Sequence, residues 1–508
     1  MNVLLVTSEA VPFAKTGGLA DVAGALPKYL AGLGMNVTVM MPLYQKVMTG
    51  DFKLTRERAT VRVPMGQNVY EGAIWSTTIP ETNIPVYFLQ QDTFFNRPQL
   101  YGEDGQDYKD NSQRFVFFSR GCLEAVKVLG LRPDVVHAND WQSGLVPAYI
   151  KTLYRDDPDI GRIATLFTVH NLAYQGVFWH WDLPLTGLSW DLFNWTELEF
   201  YGKLNFLKGG LVFADCLNTV SKTYAREIQT EEFGCGLEGV LTHRCNELFG
   251  VVNGIDYSVW NPEIDDHLPA KFSAEDLSGK AKCKKALQKE NGLPEKAKVP
   301  LLGIISRLAD QKGFDLLAKV MDDVMALGVQ LVLLGTGDPK YHELFEQIAQ
   351  RYPEQCGVNL TFDNGMAHRI EAGADIFLMP SRYEPCGLNQ LYSLRYGTVP
   401  VVRATGGLAD TIVDYNGSAP EDGKATGFSF EGYRPEELLK AIKRAVGLFG
   451  KSKAWKALVV NCMKQDWSWD RAAREYQDLY AWTVGRKQKE LVGQTGTQAV
   501  WQKTQTGR

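Results

Sequence analysis

An α/β chain of two doubly wound halves is predicted from three features of the 508-residue sequence. The N-terminus reads as a strand, a loop, a helix and a second strand. Short apolar runs then recur between helical patterns as far as residue 220. After a turn-rich stretch at 253–262 the same alternation starts again. Such alternation signals parallel sheets with helical crossovers. With 45% apolar residues the chain is also too long for one ordinary core.

In chain order, the first buried-strand run spans 2–7, followed by a polar, glycine-containing loop at 8–18. A helical stretch at 19–33 and a second strand run at 36–40 complete the unit. Further runs fall at 134–138, 164–169 and 216–220. Each is short, apolar and rich in β-formers, as buried parallel strands are. A lysine-rich polar segment at 271–292 precedes the second set of runs, at 300–306, 329–334, 375–380 and 399–403. The last helical pattern, 469–484, carries enough apolar residues to dock. Beyond Arg486 glutamine, threonine and glycine dominate, and a flexible tail is expected. The predicted divisions are 1–252, 253–466, a returning helix at 467–485, and a tail at 486–508.

The charged fraction is 22%, the aromatic fraction 11% and the net charge -5. This balance disfavours long disorder and a nucleic-acid-coating role. An anionic ligand would have to be met by a few placed cations. Eight cysteines without a CxxC pair suit reduced thiols in a cytosol-like compartment. Cys235, His243 and Cys245 lack a fourth soft ligand at zinc-site spacing, so no metal is expected. No apolar run approaches the ~18 residues of a membrane span. The opening MNVLLVTSEA lacks a basic leader, so the expectation is a soluble cytoplasmic protein, or a mature plastid-stroma form already processed.

The string TGGLAD occurs at 16–21 and again at 405–410. Each copy stands between a strand run and a helix. One reading is repeated turn chemistry, since glycine pairs suit such corners. The other is a pair of helix N-termini whose unpaired N–H groups face an anion in one cleft. The first copy offers Gly17, Gly18 and Asp21, with Lys15 just before it; the second offers Thr405, Gly406 and Gly407. Arg307 and Lys312 flank a loop at a strand's carboxyl end, the usual ligand position in such sheets. Two cations there would stabilise a departing diphosphate, or be ordinary surface charges. In PSRYEPCGLNQ, Pro380 and Pro385 restrict a loop that holds Glu384 at another strand end. Cys386 reads as packing more readily than as a nucleophile. Asp140 and His170 end two further strands. The aromatics at 178–206, including Trp179, Trp181, Trp190 and Trp195, could stack on sugar rings or pack as a satellite core. No GxxxxGK[ST] loop and no GxSxG elbow is present.

Together SEAVPFAKTGGLADV, HANDWQSGLVPAY, FTVHNLAYQG, VVNGID, ISRLADQKG, PSRYEPCGLNQ and RATGGLADT resemble the bacterial glycogen synthase and plant starch synthase family. They run in family order from Ser8 to Thr411. The resemblance implies a GT-B fold, two Rossmann-like domains facing an interdomain cleft. It implies retaining transfer of glucose from ADP-glucose to the non-reducing end of an α-1,4-glucan, with ADP released and no metal or other cofactor. Nucleic acid and membrane are not implied as partners. Lys15 matches the donor-binding lysine, and Arg307 and Lys312 the pair that holds the diphosphate. Glu384, with the backbone of Cys386, Gly387 and Leu388, matches the glucose-contacting loop. Asp140, His170 and Asn171 match residues lining the glucose and acceptor side. Asn253 matches an asparagine near the hinge, Phe362 an aromatic beside the adenine, and Thr405 to Gly407 a second phosphate-side turn. The last helix is implied to cross back to the first domain.

Two positions depart from relatives. Asn139 stands where bacterial members commonly carry histidine. Tyr392 stands where related sugar transferases carry an acid, as in the synthases generally. The rival readings are a sugar-nucleotide epimerase or hydrolase, and a non-catalytic glucan-binding or priming protein. Product analysis without added glucan separates the first. Glucan binding without ADP release would mark the second.

Overall fold

The computed structural model describes residues 1–103, 105–417 and 423–505. It divides into two compact units. One holds Met1–Val220, Ala225–Val251 and the chain from Trp469 onward; the other holds Ser221–Tyr224 and Val252–Ser468.

The first unit is built on a nine-stranded sheet. Its order is Leu248–Gly250, Cys216–Thr219, Ala164–Val169, Val135–Asn139, Asn2–Val6, Asn36–Pro42, Pro85–Gln90, Asn68–Thr78 and Thr55–Met65. The strands from Leu248–Gly250 to Pro85–Gln90 pair in parallel. In Cys216–Thr219, Ala164–Val169 and Val135–Asn139 every side chain is buried, on both faces, which is why those apolar runs are continuous. The last two strands form an antiparallel hairpin turned at Gly66, whose φ is +60°. The sequence reading did not anticipate it. Residues 55–65 alternate exposed and buried, so no apolar run marks them.

Strand order reverses between Val135–Asn139 and Asn2–Val6, where parallel-sheet ligands bind outside the carboxyl ends. Val6 pairs with Ala138, and Ala138 with Phe167. The loops bearing Glu9, Asp140 and His170 therefore leave three adjacent strands side by side.

The last helix, Trp469–Gln505, lies on this unit. Tyr476 and Tyr480 are fully buried, and the Tyr480 hydroxyl is 2.9 Å from Nδ1 of buried His137. The helix corrects the expected tail from 486. Arg486 pairs with Glu247 at 2.8 Å, and Glu490 pairs with Lys151 at 2.6 Å. Lys151 also meets buried Asp215 at 2.6 Å. These ion pairs reward another turn of helix that composition alone does not show. Residues 506–508 lie outside the described residues.

The second unit has an all-parallel six-stranded sheet. Its order is Cys356–Asn359, Gln330–Leu334, Leu301–Ile305, Ile376–Met379, Val399–Arg403 and Phe428–Phe430. Helix Phe314–Met325 buries Leu317, Met321 and Val324 in its core. The order reverses between Leu301–Ile305 and Ile376–Met379. The loops leaving those strands carry Arg307, Lys312 and Glu384. Ser221–Tyr224 joins this unit through Ser221, which donates to the Pro385 carbonyl at 2.6 Å, and Thr223, whose hydroxyl donates to Asp410 at 2.6 Å. No helix among the described residues is long and apolar enough to cross a membrane.

Candidate active site

In the second unit, Lys312 and Glu384 form a pair. Lys312 Nζ donates to Glu384 Oε2 at 2.8 Å, with side chains 22% and 7% exposed. Ser381 Oγ donates to the same carboxylate oxygen at 3.0 Å. The two loops are held together by backbone. Arg382 N–H donates to the Gln311 carbonyl at 2.8 Å, and Gln311 Nε2 to the Tyr383 carbonyl at 3.3 Å. Gly313, at φ +75°, would place a Cβ 1.9 Å from the Pro380 carbonyl oxygen. Only glycine lets Lys312 sit this close to the other loop. Arg307 is exposed and reaches Gln311 at 3.4 Å. Cys386 is buried, Gly387 has φ +70°, and Leu388 caps helix Asn389–Arg395.

The second TGG turn lies beneath this loop. An added Cβ on Gly406 would fall 1.9 Å from the Glu384 carbonyl oxygen, and one on Gly407 2.0 Å from that of Cys386. Gly407 N–H already donates to the Glu384 carbonyl at 3.0 Å. The turn thus props Glu384, and the expectation of an unpaired N–H there is corrected for Gly407. Asn253 is buried, and its Oδ1 has no hydrogen-bond partner among the described residues. Phe362 is 82% exposed, an open aromatic platform.

In the first unit, the loop after Asn2–Val6 carries a residue that the sequence reading passed over. Glu9 is 3% exposed and occupies the first TGG turn. It accepts the N–H of Thr16, the Thr16 hydroxyl at 2.6 Å, the N–H of Gly17 at 3.2 Å and the Tyr101 hydroxyl at 2.6 Å. The expectation that this turn presents unpaired donors is corrected for Thr16 and Gly17. The chain's own carboxylate occupies them, as anions do at a helix N-terminus. The turn still differs from the second one. An added Cβ on Gly17 or Gly18 would meet no described atom within 4 Å. Lys15 Nζ donates to Asp21 at 2.6 Å, and both remain partly exposed. Burial pushes the Asp21 carboxyl up, opposed by the Lys15 charge.

Asp140 adopts φ +54°, an unusual conformation for a non-glycine residue. It accepts the His170 N–H at 2.7 Å and also that of Asn171. Burial pushes its carboxyl up to about 7, helped by the Glu9 charge and opposed by the two N–H bonds. The Asn171 side chain closes its own turn on the Ala173 N–H at 3.1 Å. Asn139 Nδ2 donates to the carbonyls of Val6 and His137, so its Oδ1 faces His170 Nε2 at 3.0 Å. His170 Nε2 must then carry the proton, leaving Nδ1 as the acceptor. The asparagine fixes the tautomer of its neighbour.

Because its native carboxyl holds a proton more tightly than the unfolded one, Asp140 works against folding as pH rises. The unfolded group ionises near its ordinary 3.8, the native one near 7. Its contribution to stability therefore falls between about pH 4 and 7. Asp140→Asn is expected to flatten that decline in a series of thermal melts. An unchanged pH slope would contradict the assignment.

Tyr392 does not stand free in the place of the missing acid. It stacks on Trp260 at 3.8 Å between ring centroids, and His368 stacks on the same indole at 3.8 Å. Asp265 accepts from buried His368 at 2.7 Å and from Tyr396 at 2.5 Å. Trp260, Asp265, His368 and Tyr396 were not singled out in the sequence, because the first two lie over 100 positions from the other two. Among the described residues no group of three or more His, Cys, Asp or Glu could hold a metal ion.

Residues 2–243 match the family model for the starch synthase catalytic domain, and residues 284–456 that for glycosyl transferases group 1. The chain is 49% identical over 481 residues to a glycogen synthase of Anaeromyxobacter sp., covering 94% of this chain and 99% of that one. It is 48% identical over 485 residues to a glycogen synthase of Thermosipho africanus, covering 94% and 98%. The fold is similar to the catalytic domain of starch synthase IV from Arabidopsis thaliana, solved with ADP and acarbose. The TM-score is 0.87 at 34% identity, covering 95% and 99% of the two chains. A sucrose-phosphate synthase from Thermosynechococcus elongatus, TM-score 0.58 at 17% identity, shares the fold over 95% of this chain and 99% of that one.

Proposed function

Because this chain belongs to the glycogen and starch synthase family, a family of GT-B glycosyltransferases, we propose that it transfers glucose from ADP-glucose, with retention, to the non-reducing end of an α-1,4-glucan without a metal ion. The observation that carries this reading is the Lys312–Glu384 pair at a topological switch point. It sets a cation beside a buried carboxylate on two interlocked loops. Exposed Phe362 in the same unit suits stacking against an adenine. The Arabidopsis relative was solved with ADP, which supports an adenine nucleotide.

The reaction is a front-face substitution. The bond between the anomeric carbon and the diphosphate oxygen breaks as the acceptor 4-hydroxyl oxygen bonds that carbon from the same side. The hydroxyl proton passes to the departing diphosphate. Lys312 and Arg307 stabilise the charge that develops on that leaving group. Glu384 orients the sugar hydroxyls through its free lone pairs and does not attack. Asp140 accepts hydrogen bonds and holds His170 and Asn171 on the acceptor side. The reading needs no covalent glucosyl-enzyme.

The bacterial relatives support a cytoplasmic setting over a plastid one. The test is incubation of the protein with glycogen and either ADP-glucose or UDP-glucose, with and without a chelator. Incorporation from ADP-glucose that survives chelation is expected. Incorporation only from UDP-glucose, or its loss on chelation, would contradict the proposal.

A further inference from the structure

Four strands lie side by side in the second unit: Leu301–Ile305, Ile376–Met379, Val399–Arg403 and Phe428–Phe430. One residue from each of the segments at their carboxyl ends meets the others at the ring of Tyr433. Tyr433 follows the last of these strands and is half-buried. The Arg382 guanidinium lies over its ring, 4.4 Å from the centroid, and that of Arg403 lies over it at 5.5 Å. The Tyr433 hydroxyl donates to Asp315 Oδ1, and Arg382 reaches Asp315 Oδ2 at 3.4 Å. Burial and the Asp315 carboxylate push the phenol's pKa up, so it stays a donor at neutral pH.

Two guanidinium groups gathered on one ring repel each other. The negative face of the ring and the Asp315 carboxylate offset that repulsion. Arg403 adds two bonds, donating to the Arg382 carbonyl and, at 3.0 Å, to the Glu431 carbonyl. The turn that carries Tyr433 is itself anchored to helix Pro435–Phe449. Gly432 N–H donates to Glu437 at 2.6 Å, and Arg434 pairs with the same carboxylate. Tyr433 therefore stands on a fixed base.

Both partners of the tyrosine adjoin the candidate site. Asp315 lies three residues beyond Lys312, at the start of helix Phe314–Met325. Arg382 lies two residues before Glu384. We propose that Tyr433 is a positioning residue for glucose transfer. It holds Asp315 and Arg382 at one separation, and through them sets the distance between Lys312 and Glu384. The inference rests on the reaction proposed above. A cation stabilises a leaving group only when it is aimed at the departing oxygen. Slack in this pair should then lower turnover more than donor affinity.

The test is a double-mutant cycle in the full-length protein, with initial rates on ADP-glucose and glycogen. Tyr433→Leu removes both ring and hydroxyl. It is expected to lower kcat about tenfold, within the roughly 10²-fold cost of a misplacement of about 1 Å, and to change KM for ADP-glucose less than about twofold. Tyr433→Phe keeps the ring beneath both guanidinium groups, so it should recover part of the loss. In the Lys312→Ala background, Tyr433→Leu should lower kcat much less than in the native one, because groups that act as a unit are not additive. An undiminished loss in that background would overturn the proposal, since a merely structural role predicts it. Unchanged kcat in Tyr433→Leu, or a raised KM at unchanged kcat, would overturn it equally. The Tyr433→Phe arm reads the same coupling in a protein whose ring packing is intact. Absence of transfer by the unsubstituted protein would overturn the reaction and this inference with it. Transfer with fully additive losses would overturn this inference alone.

Discussion

Replacing Lys312 by alanine is expected to lower kcat by about 10²–10³-fold, equivalent to about 2.7–4 kcal/mol of transition-state stabilisation, if it acts as an oxyanion-type donor does. KM for ADP-glucose should change much less. The lysine is one of the groups assigned to the charge that appears only as the diphosphate departs. The same substitution leaves Glu384, 7% exposed, with its Ser381 bond and no cation. Part of any loss could therefore come from disorganising the loop. Lys312→Ala combined with Glu384→Gln relieves the unpaired charge. If the lysine were merely structural, the double variant would match Glu384→Gln alone in turnover, since Glu384 itself orients the sugar. The leaving-group role predicts that it does not.

Gly406→Ala is expected to cost about 3–5 kcal/mol of stability, from a left-handed alanine plus overpacking. Its new Cβ would fall 1.9 Å from the Glu384 carbonyl oxygen at a φ of +46°. Relief requires moving the loop that holds Glu384, so activity should collapse with stability. The matching change in the first copy of the string, Gly17→Ala, meets nothing within 4 Å and sits at φ -148°. It should cost under about 1 kcal/mol. Urea denaturation of the two variants checks the contrast. Equal losses would mean that the two turns do the same structural work.

That contrast also marks how far the sequence could be read. TGGLAD looks alike at both places, and the switch-point loops were legible as polar ends of apolar runs. What the glycines do is decided by neighbours far away in the chain. The second pair is pressed against Glu384 and Cys386. The first is bridged by Glu9, whose other partner, Tyr101, lies 92 residues on. Such pairings leave no local pattern. The central parallel strands were legible because both of their faces are buried, whereas Pro85–Gln90, Leu248–Gly250, Cys356–Asn359 and Phe428–Phe430 were passed over, being half-exposed or only three or four residues long. The hairpin at 55–78 was missed because one face is solvated. The last helix was cut short because its later turns are held by ion pairs to Glu247 and Lys151 rather than by an apolar stripe. Asn139 read as a lost histidine, yet its amide fixes the proton on His170.

The central claim is glucose transfer from ADP-glucose, with retention, to the non-reducing end of an α-1,4-glucan. Proton NMR of the product formed from ADP-glucose and maltotriose tests it most directly. A new α-1,4-linked residue at the non-reducing end, appearing with stoichiometric ADP, is the predicted result. A β-linked product, or free glucose without chain extension, would contradict it.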